Sequence, residues 1–300
     1  MKASTLFKFS AFGLSTIVFR RKDPILGTII LTDKCNLTCK HCAVNNLTAV
    51  IYPYRQIKEE MRLLYDKGVR ILFFCGGEPF LWASEGKSLQ DLVIEAKSMG
   101  FLIVIVVSNG TFPLDIPEAD LLLISLDGQK SNHDLIRGET YDTILGNIRR
   151  ATSDNICLYM AVNQLNKGDT EHICRLAAAE KNIRAASFNF HTPYPGTENL
   201  SLTLADKQAC CKTLSNLLDQ GLPIFNLKST FPYLLRNKFP RPCHQCLVME
   251  NSKISVCGRC IEIPGLCDQC GYFFAAEYAL VFSGNIKVIF DMLHTYLRYI

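Results

Sequence analysis

Net charge is scarce in this sequence. The formal sum is +4 over 300 residues, and no basic run could follow a phosphate backbone, which excludes a nucleic-acid partner. Charged residues are also few, 20% against 48% hydrophobic, which excludes a disordered chain. The N-terminus has no span for a membrane. Its apolar stretch, Thr5 to Phe19, is interrupted by Lys8 and falls short of the roughly 20 residues that a spanning helix needs. Nor does it read as a secretory signal. The basic residues Arg20-Arg21-Lys22 follow the apolar run instead of preceding it, and no small-residue cleavage site closes it. Two readings stay open: a helix lying on a membrane surface and a helix packed on the protein's own core.

Cysteine is the opposite case. The chain has 14, nine of them in two clusters with short, ligand-like spacings. That pattern fits metal or cluster binding in a reducing compartment, the cytoplasm, rather than a secreted disulfide framework. Cys75, Cys157, Cys174, Cys210 and Cys211 stand apart and read as small buried hydrophobes.

A chain of this length holds one large domain, or one with a small appendage. From Ile25 onward, apolar β-branched runs alternate with amphipathic stretches. The runs are Ile25–Leu31, Ile71–Cys75, Leu102–Val107, Leu121–Leu126, Cys157–Val162 and Ala186–Phe190. The amphipathic stretches are Tyr54–Lys67, Ser88–Met99, Tyr141–Ala151, Asp169–Glu180 and Thr203–Gln220. Strands that are apolar throughout, separated by helices, predict an α/β fold with a parallel sheet under helices. The count alone allows a partial barrel or a doubly wound sheet. Either way, ligands gather at the C-terminal ends of strands.

The motifs fall there. Cys35, Cys39 and Cys42 follow the first strand in a C-x3-C-x2-C loop. Structural zinc wants four closed ligands, and only His41 lies near enough to be a fourth. An iron–sulfur cube held by three thiolates keeps one iron open. Gly76-Gly77-Glu78-Pro79 follows the second strand: the glycines allow close backbone approach, the proline stiffens the exit, and Glu78 offers an acceptor for an amine. Ser108-Asn109-Gly110 and Ser125-Leu126-Asp127-Gly128 close the third and fourth strands; Asn163 and His191 end the fifth and sixth. Ser, Asn and Asp also favour turns and caps, so the bland reading stands beside the functional one. His133 and His191 read as hydrogen-bonded scaffold.

Taken together, these motifs resemble the radical S-adenosylmethionine (SAM) family, over roughly residues 25–275. The resemblance implies a partial (β/α)6 barrel. It implies a [4Fe–4S] cluster on Cys35, Cys39 and Cys42, whose open iron chelates SAM. The stretch Gly76, Gly77, Glu78 matches the family's motif for the SAM amino group. Asn109, Ser125 and Asp127 stand where family members contact the ribose and carboxylate of SAM, and Arg137, in Asp134-Leu-Ile-Arg-Gly138, is a carboxylate candidate. The family usually has an aromatic residue before the last cysteine; His41 takes that place here. A one-electron donor such as flavodoxin or ferredoxin is implied as partner. The activity implied is reductive cleavage of SAM to a 5′-deoxyadenosyl radical that abstracts hydrogen from a substrate C–H bond.

Cys243, Cys246, Cys257, Cys260, Cys267 and Cys270 form three C-x2-C pairs. On their own they suit zinc, although the gap between pairs in a zinc ribbon is usually about 15–20 residues. After such a barrel the region resembles the SPASM/twitch extension, which implies one auxiliary [4Fe–4S] cluster, with zinc as the alternative. The family's set is spaced differently, and Asn251-Ser252-Lys253 replaces its usual Asp-Gly turn. Beyond it, Ile286, Ile289, Leu293, Tyr296, Leu297 and Ile300 recur at helical spacing. The organisation expected is an apolar segment over 1–22, a core over 23–226 and a cysteine-rich region with a C-terminal helix over 227–300. The substrate expected is a peptide or protein, although no peptide-recognition domain of ordinary size fits in the first 24 residues. The alternative is a lipid or other hydrophobic substrate at a membrane surface, suggested by the apolar terminal segments. A reading of another class, a non-catalytic zinc protein, does not call for the Gly-Gly-Glu-Pro turn.

Overall fold

A computed structural model describes residues 3–19, 23–42, 47–241, 243–257 and 262–300. Six parallel strands carry the architecture: β1 (Leu26–Ile30), β2 (Ile71–Cys75), β3 (Ile103–Ser108), β4 (Leu121–Ser125), β5 (Ile156–Val162) and β6 (Ile183–Phe190). They pair in chain order, each with the next in parallel register. The amphipathic stretches form α2 (Tyr54–Asp66), α3 (Leu89–Met99), α5 (Tyr141–Arg150), α6 (Thr170–Ala179) and α7 (Leu204–Asp219), with a short α4 (Lys130–Arg137) before α5 and a short α8 (Phe231–Leu235) after α7. Capping boxes at Ser88/Asp91 and Thr203/Asp206 start α3 and α7 by satisfying their first N–H groups.

Two apolar layers result from the alternation of strand side chains. Val104 and Val106 of β3, with Leu122 and Ile124 of β4, face the layer containing Ile57, Leu92, Ile144 and Leu214 of the outer helices. Ile103, Ile105, Leu121 and Leu123 face the other way. Because the barrel is partial, this inner face is left for other elements to cover.

The C-terminal region covers it. Strands β7 (Cys246–Glu250) and β8 (Lys253–Val256) make a hairpin whose turn, Asn251-Ser252, has φ of 50° and 61°. Both turn residues are left-handed, as a tight two-residue hairpin requires. β7 pairs in parallel with β1, Cys246 opposite Leu26, so the hairpin extends the main sheet to eight strands. α9 (Phe273–Phe282) starts at the end of β6, where Phe273 N–H donates to Asn189 Oδ1 at 2.8 Å and Phe190 N–H to the Gly271 carbonyl at 2.9 Å. It finishes beside Ile25, Leu26 and Cys246 on the far side of the barrel. The chain then bends by 118° into α10 (Ile286–Tyr299). α10 ends where the Arg184 guanidinium reaches the Tyr299 and Ile300 carbonyls, at the start of β6. Leu247, Met249, Phe273 and Ala276 belong to the same core as the outer helices.

At the other terminus, α1 (Ala3–Val18) lays Phe12 and Ile17 against the inner core beside the starts of β1 and β2. Residues 20–22 lie outside the described residues. Among those described, no single helix is long and apolar enough to cross a membrane.

Phe273 is fully buried between the rings of Phe190 at 4.8 Å and Phe231 at 5.6 Å. Phe273→Ala is expected to cost about 3–5 kcal/mol, read as a lower urea midpoint. If barrel and C-terminal helices form one unit, the wild type unfolds in a single transition by fluorescence and circular dichroism; two transitions would contradict the shared core.

Candidate active site

Backbone contact sets the cysteine loop. Gly77 N–H donates to the Thr32 carbonyl at 2.7 Å and Glu78 N–H to the Lys34 carbonyl at 2.9 Å. A Cβ at Gly76, where φ is 150°, would stand 2.1 Å from Thr32 O, and one at Gly77 would stand 2.3 Å from Lys34 O. Both glycines are needed for one loop to lie against another. The loop's return is tied as well. Asp33 accepts from the N–H of Thr48 and Val50 and from the Thr48 hydroxyl. Burial pushes the Asp33 carboxyl up, but those bonds win and hold it below the usual carboxylate range.

Glu78 lies at the exit of β2. Its side chain is buried and accepts from Ser108 Oγ at 2.8 Å, Asn109 N–H at 2.7 Å and Phe80 N–H at 3.1 Å. Desolvation raises its pKa against those bonds. What the structure shows is a carboxylate that ties the loop after β2 to the loop after β3, its acceptors already engaged by the protein.

Asn109 then reaches the cysteine loop, its Nδ2 lying 3.8 Å from Cys35 Sγ and 2.8 Å from Asn36 Oδ1. On the opposite side, α4 delivers Arg137. Its Nε donates to Asp127 Oδ2 at 2.5 Å, NH1 lies 3.8 Å from Cys39 Sγ, and NH2 lies 3.3 Å from His41 Nε2. Asp127, fully buried, also accepts from Ala161 N–H at 2.8 Å. Burial alone would raise the Asp127 carboxyl, but Arg137 and its hydrogen bonds hold it below the usual range; Arg137 is pushed up in turn. Sequence reasoning put a free carboxylate ligand at Arg137. The structure gives it a protein carboxylate and a thiol.

His41, adjacent to the last cysteine, stands between Arg137 and His191, whose ring centroid is 6.3 Å away. Guanidinium nitrogens only donate, so Nε2 accepts and Nδ1 carries the hydrogen. Desolvation pushes the His41 pKa down to about 4, so the ring is neutral. Nδ1 is buried and has no hydrogen-bond partner among the described residues. His133 and His191 are hydrogen-bonded within the protein: His133 Nδ1 accepts from Asp127 N–H at 3.0 Å, and His191 Nε2 meets the Thr197 hydroxyl at 3.0 Å.

Cys35, Cys39 and Cys42 are half-buried. Desolvation raises the Cys35 and Cys39 thiols, and the charge of the neighbouring thiols adds to it, so the three converge; Arg137 pulls Cys39 the other way. Three soft sulfurs, two of them with their own N–H donor, and an orphaned N–H beside them fit an iron–sulfur cluster. Among the described residues, no three His, Cys, Asp or Glu side chains close round a single metal ion.

Ser125 ends β4 buried, in register with Tyr159 of β5. Tyr159, Asn189 and Cys75 lie on the inner side of the barrel just below this rim: Asn189 Nδ2 donates to the Tyr159 hydroxyl, and the charge of Cys75 reaches Tyr159. Desolvation pushes Cys75 up to about 12. Sequence reasoning missed Tyr159 and Asn189. The signal was the period-two spacing of Cys157, Tyr159 and Ala161.

Of the C-terminal cysteines, Cys260 lies outside the described residues, and Cys243 is placed in a short 3-10 turn, its side chain undescribed. The β7–β8 hairpin brings Cys246 and Cys257 together, with Cys257 N–H donating to the Cys246 carbonyl at 3.0 Å. Cys267 and Cys270 share one turn. Arg241 Nη2 donates to the Cys267 carbonyl at 3.1 Å, while its Nη1 is buried and has no partner among the described residues.

The model of the radical SAM superfamily matches residues 29–177, the cysteine loop and every rim motif up to α6. This chain carries a radical SAM domain. The sporulation killing factor maturation protein SkfB of Bacillus subtilis is 30% identical over 171 residues, 52% of this chain and 40% of that protein. The S-adenosylmethionine-dependent nucleotide dehydratase RSAD2 of Danio rerio is 30% identical over 128 residues, 40% of this chain and 35% of that one. The chain thus spans less than half the length of these curated relatives. Among solved structures, SuiB of Streptococcus suis bound to its precursor peptide SuiA shares the fold, with a TM-score of 0.64 at 12% identity over 93% of this chain and 71% of that one. The radical SAM fold read from the sequence is thereby confirmed.

The Asp127–Arg137 pair gives a test. Asp127→Asn leaves a buried guanidinium without its counter-charge and is expected to cost about 3–5 kcal/mol at neutral pH. Because the Asp127 pKa is depressed on folding, its contribution is present above the ordinary carboxylate pKa and lost as pH falls through the folded value. The gap between wild type and variant in urea denaturation should therefore shrink below about pH 4. A constant gap would show that the charge on Asp127 is not what stabilises the loop.

Proposed function

We propose that this protein is a radical SAM enzyme that modifies a peptide or protein at an unactivated carbon. The observation that carries the chemistry is the convergence of Cys35, Cys39 and Cys42 at the rim, with N–H donors from Asn109 and Arg137 on two of the sulfurs. These cysteines would hold a [4Fe–4S] cluster. When bound and reduced by an external donor, the cluster would supply one electron to the sulfonium of SAM, whose C–S bond would split into methionine and a 5′-deoxyadenosyl radical able to take a hydrogen atom from the substrate.

The chain's own residues prepare that site. The Gly76–Gly77 contact and the Glu78 tie fix three loops, so that the thiols stay in place when the cluster is absent. Arg137 and Asn109 aim N–H groups at thiolate sulfur, which stabilises negative charge there. Asp127 orients Arg137 and balances its charge, and neutral His41 carries an Nδ1–H that meets no acceptor among the described residues. The apolar inner core below Tyr159 keeps bulk water from beneath the rim.

For the substrate, the support is the kinship with SkfB, named as a maturation protein, and the fold shared with SuiB in its precursor-peptide complex. The lipid alternative loses its motive, since α1 and α10 lie at the strand starts, away from the rim. In the C-terminal region, paired cysteines beside the Arg241 guanidinium, whose Nη1 has no partner among the described residues, suit an anionic auxiliary cluster that would accept an electron from the substrate. A flavodoxin or ferredoxin in a cytoplasmic, reducing environment would supply the first electron.

Anaerobically purified protein should hold about eight irons per chain, four on each cluster, and release 5′-deoxyadenosine with dithionite and SAM. Cys39→Ala should abolish that release and keep the C-terminal iron. Cys257→Ala should keep it, yet stop the loss of hydrogen from product peptides seen by mass spectrometry. Full cleavage by the Cys39 variant would sink the cluster assignment, and zinc at the C-terminal cysteines would sink the auxiliary one.

A further inference from the structure

Leu14, Val18 and Phe19 at the end of α1, and Ile286, Phe290 and Leu297 on α10, are between 61% and 75% exposed. They come from opposite ends of the chain, yet both helices sit at the base of the barrel. α1 lies beside Ile25, Gly68 and Arg70, ahead of β1 and β2. The C-terminal end of α10 lies against Arg184, whose guanidinium also reaches the Asp120 carbonyl ahead of β4. The cysteine loop is at the opposite ends of the same strands.

The charges on these two helices are of one sign. α1 has no acidic residue; Lys8 is its exposed charge. On α10, Lys287 and Arg298 are exposed, whereas the only acid, Asp291, accepts from the Ser229 N–H at 3.0 Å and hydroxyl at 2.7 Å. Exposed aliphatic and aromatic side chains interleaved with cations alone match the boundary of an anionic bilayer: apolar side chains enter the acyl layer and cations meet the headgroups. A second copy of the chain fits less well, because a two-fold interface would set the like charges of these two helices against one another, and the exposed Asp154 nearby is already paired with Arg184.

We propose that this basal face docks the protein peripherally on an anionic lipid surface, with the cofactor rim turned away toward water. The proposal does not depend on the substrate reading. It gives the exposed residues of α1 and α10 a role apart from chemistry, and it requires that a substrate reach the rim from the aqueous side.

Vesicle flotation tests it with the full chain. Wild type should float with vesicles of phosphatidylcholine containing phosphatidylglycerol and stay behind with phosphatidylcholine alone. Phe290→Glu/Leu297→Glu and Lys287→Glu/Arg298→Glu should each lower the bound fraction by about tenfold. None of the four touches the rim, so iron content and 5′-deoxyadenosine release should be unchanged and would report intact folding. Wild type that ignores anionic vesicles, or binds neutral ones as well, overturns the proposal. So does a dimer in light scattering that Phe290→Glu/Leu297→Glu splits, since the face would then be a self-interface.

Discussion

The site depends on one close approach of backbone to backbone. Where Gly76 and Gly77 pass Thr32 to Lys34, no side chain fits between the strands' exits, and the two N–H···O bonds there act like a continuation of the β1–β2 ladder past the end of the sheet. The cysteine loop is thereby held as part of the sheet rather than as a free surface loop. Glu78 extends the same restraint to the next exit by collecting donors from Phe80, Ser108 and Asn109. Ligand side chains on a long loop would otherwise pay conformational entropy on binding a cluster; here most of that cost is met on folding.

A second restraint comes from charge. Arg137 is long and cationic, and burying it is tolerable only because Asp127 meets Nε and has its other oxygen satisfied by Ala161. The pair places a fixed positive charge beside Cys39 in the folded apoprotein. Both walls of the site thus present N–H groups to sulfur, one neutral and one charged, and the difference lies in the side chains that α4 and the β3 exit happen to carry.

The six parallel strands and five of their helices were legible in the sequence because each strand is apolar on both faces and each helix is not, and the two periods do not mix. The rim motifs were legible because glycine, proline and cysteine occur at strand exits. The fate of Glu78 was not, since three donors reach it only after two separate loops have packed. The C-terminal hairpin was hidden for a related reason. Its cysteines suggested a metal-bound appendage, and the pairing of Cys246 with Leu26 joins segments from opposite ends of the chain, a contact that local patterning does not encode. Asn251-Ser252 carried a local trace of it, as residues that tolerate the left-handed turn.

The wall of the barrel is not uniform. Between β1 and β6 it is a continuous ladder, but between β6 and the C-terminal segment it is held by single bonds: Phe190 to Gly271, Gly271 to Thr192, Phe273 to Asn189. A ladder yields only as a whole, whereas this seam opens one bond at a time. The mouth is therefore hinged along one side. The rim therefore has a stiff lip at the cysteine loop and a more yielding one at α9.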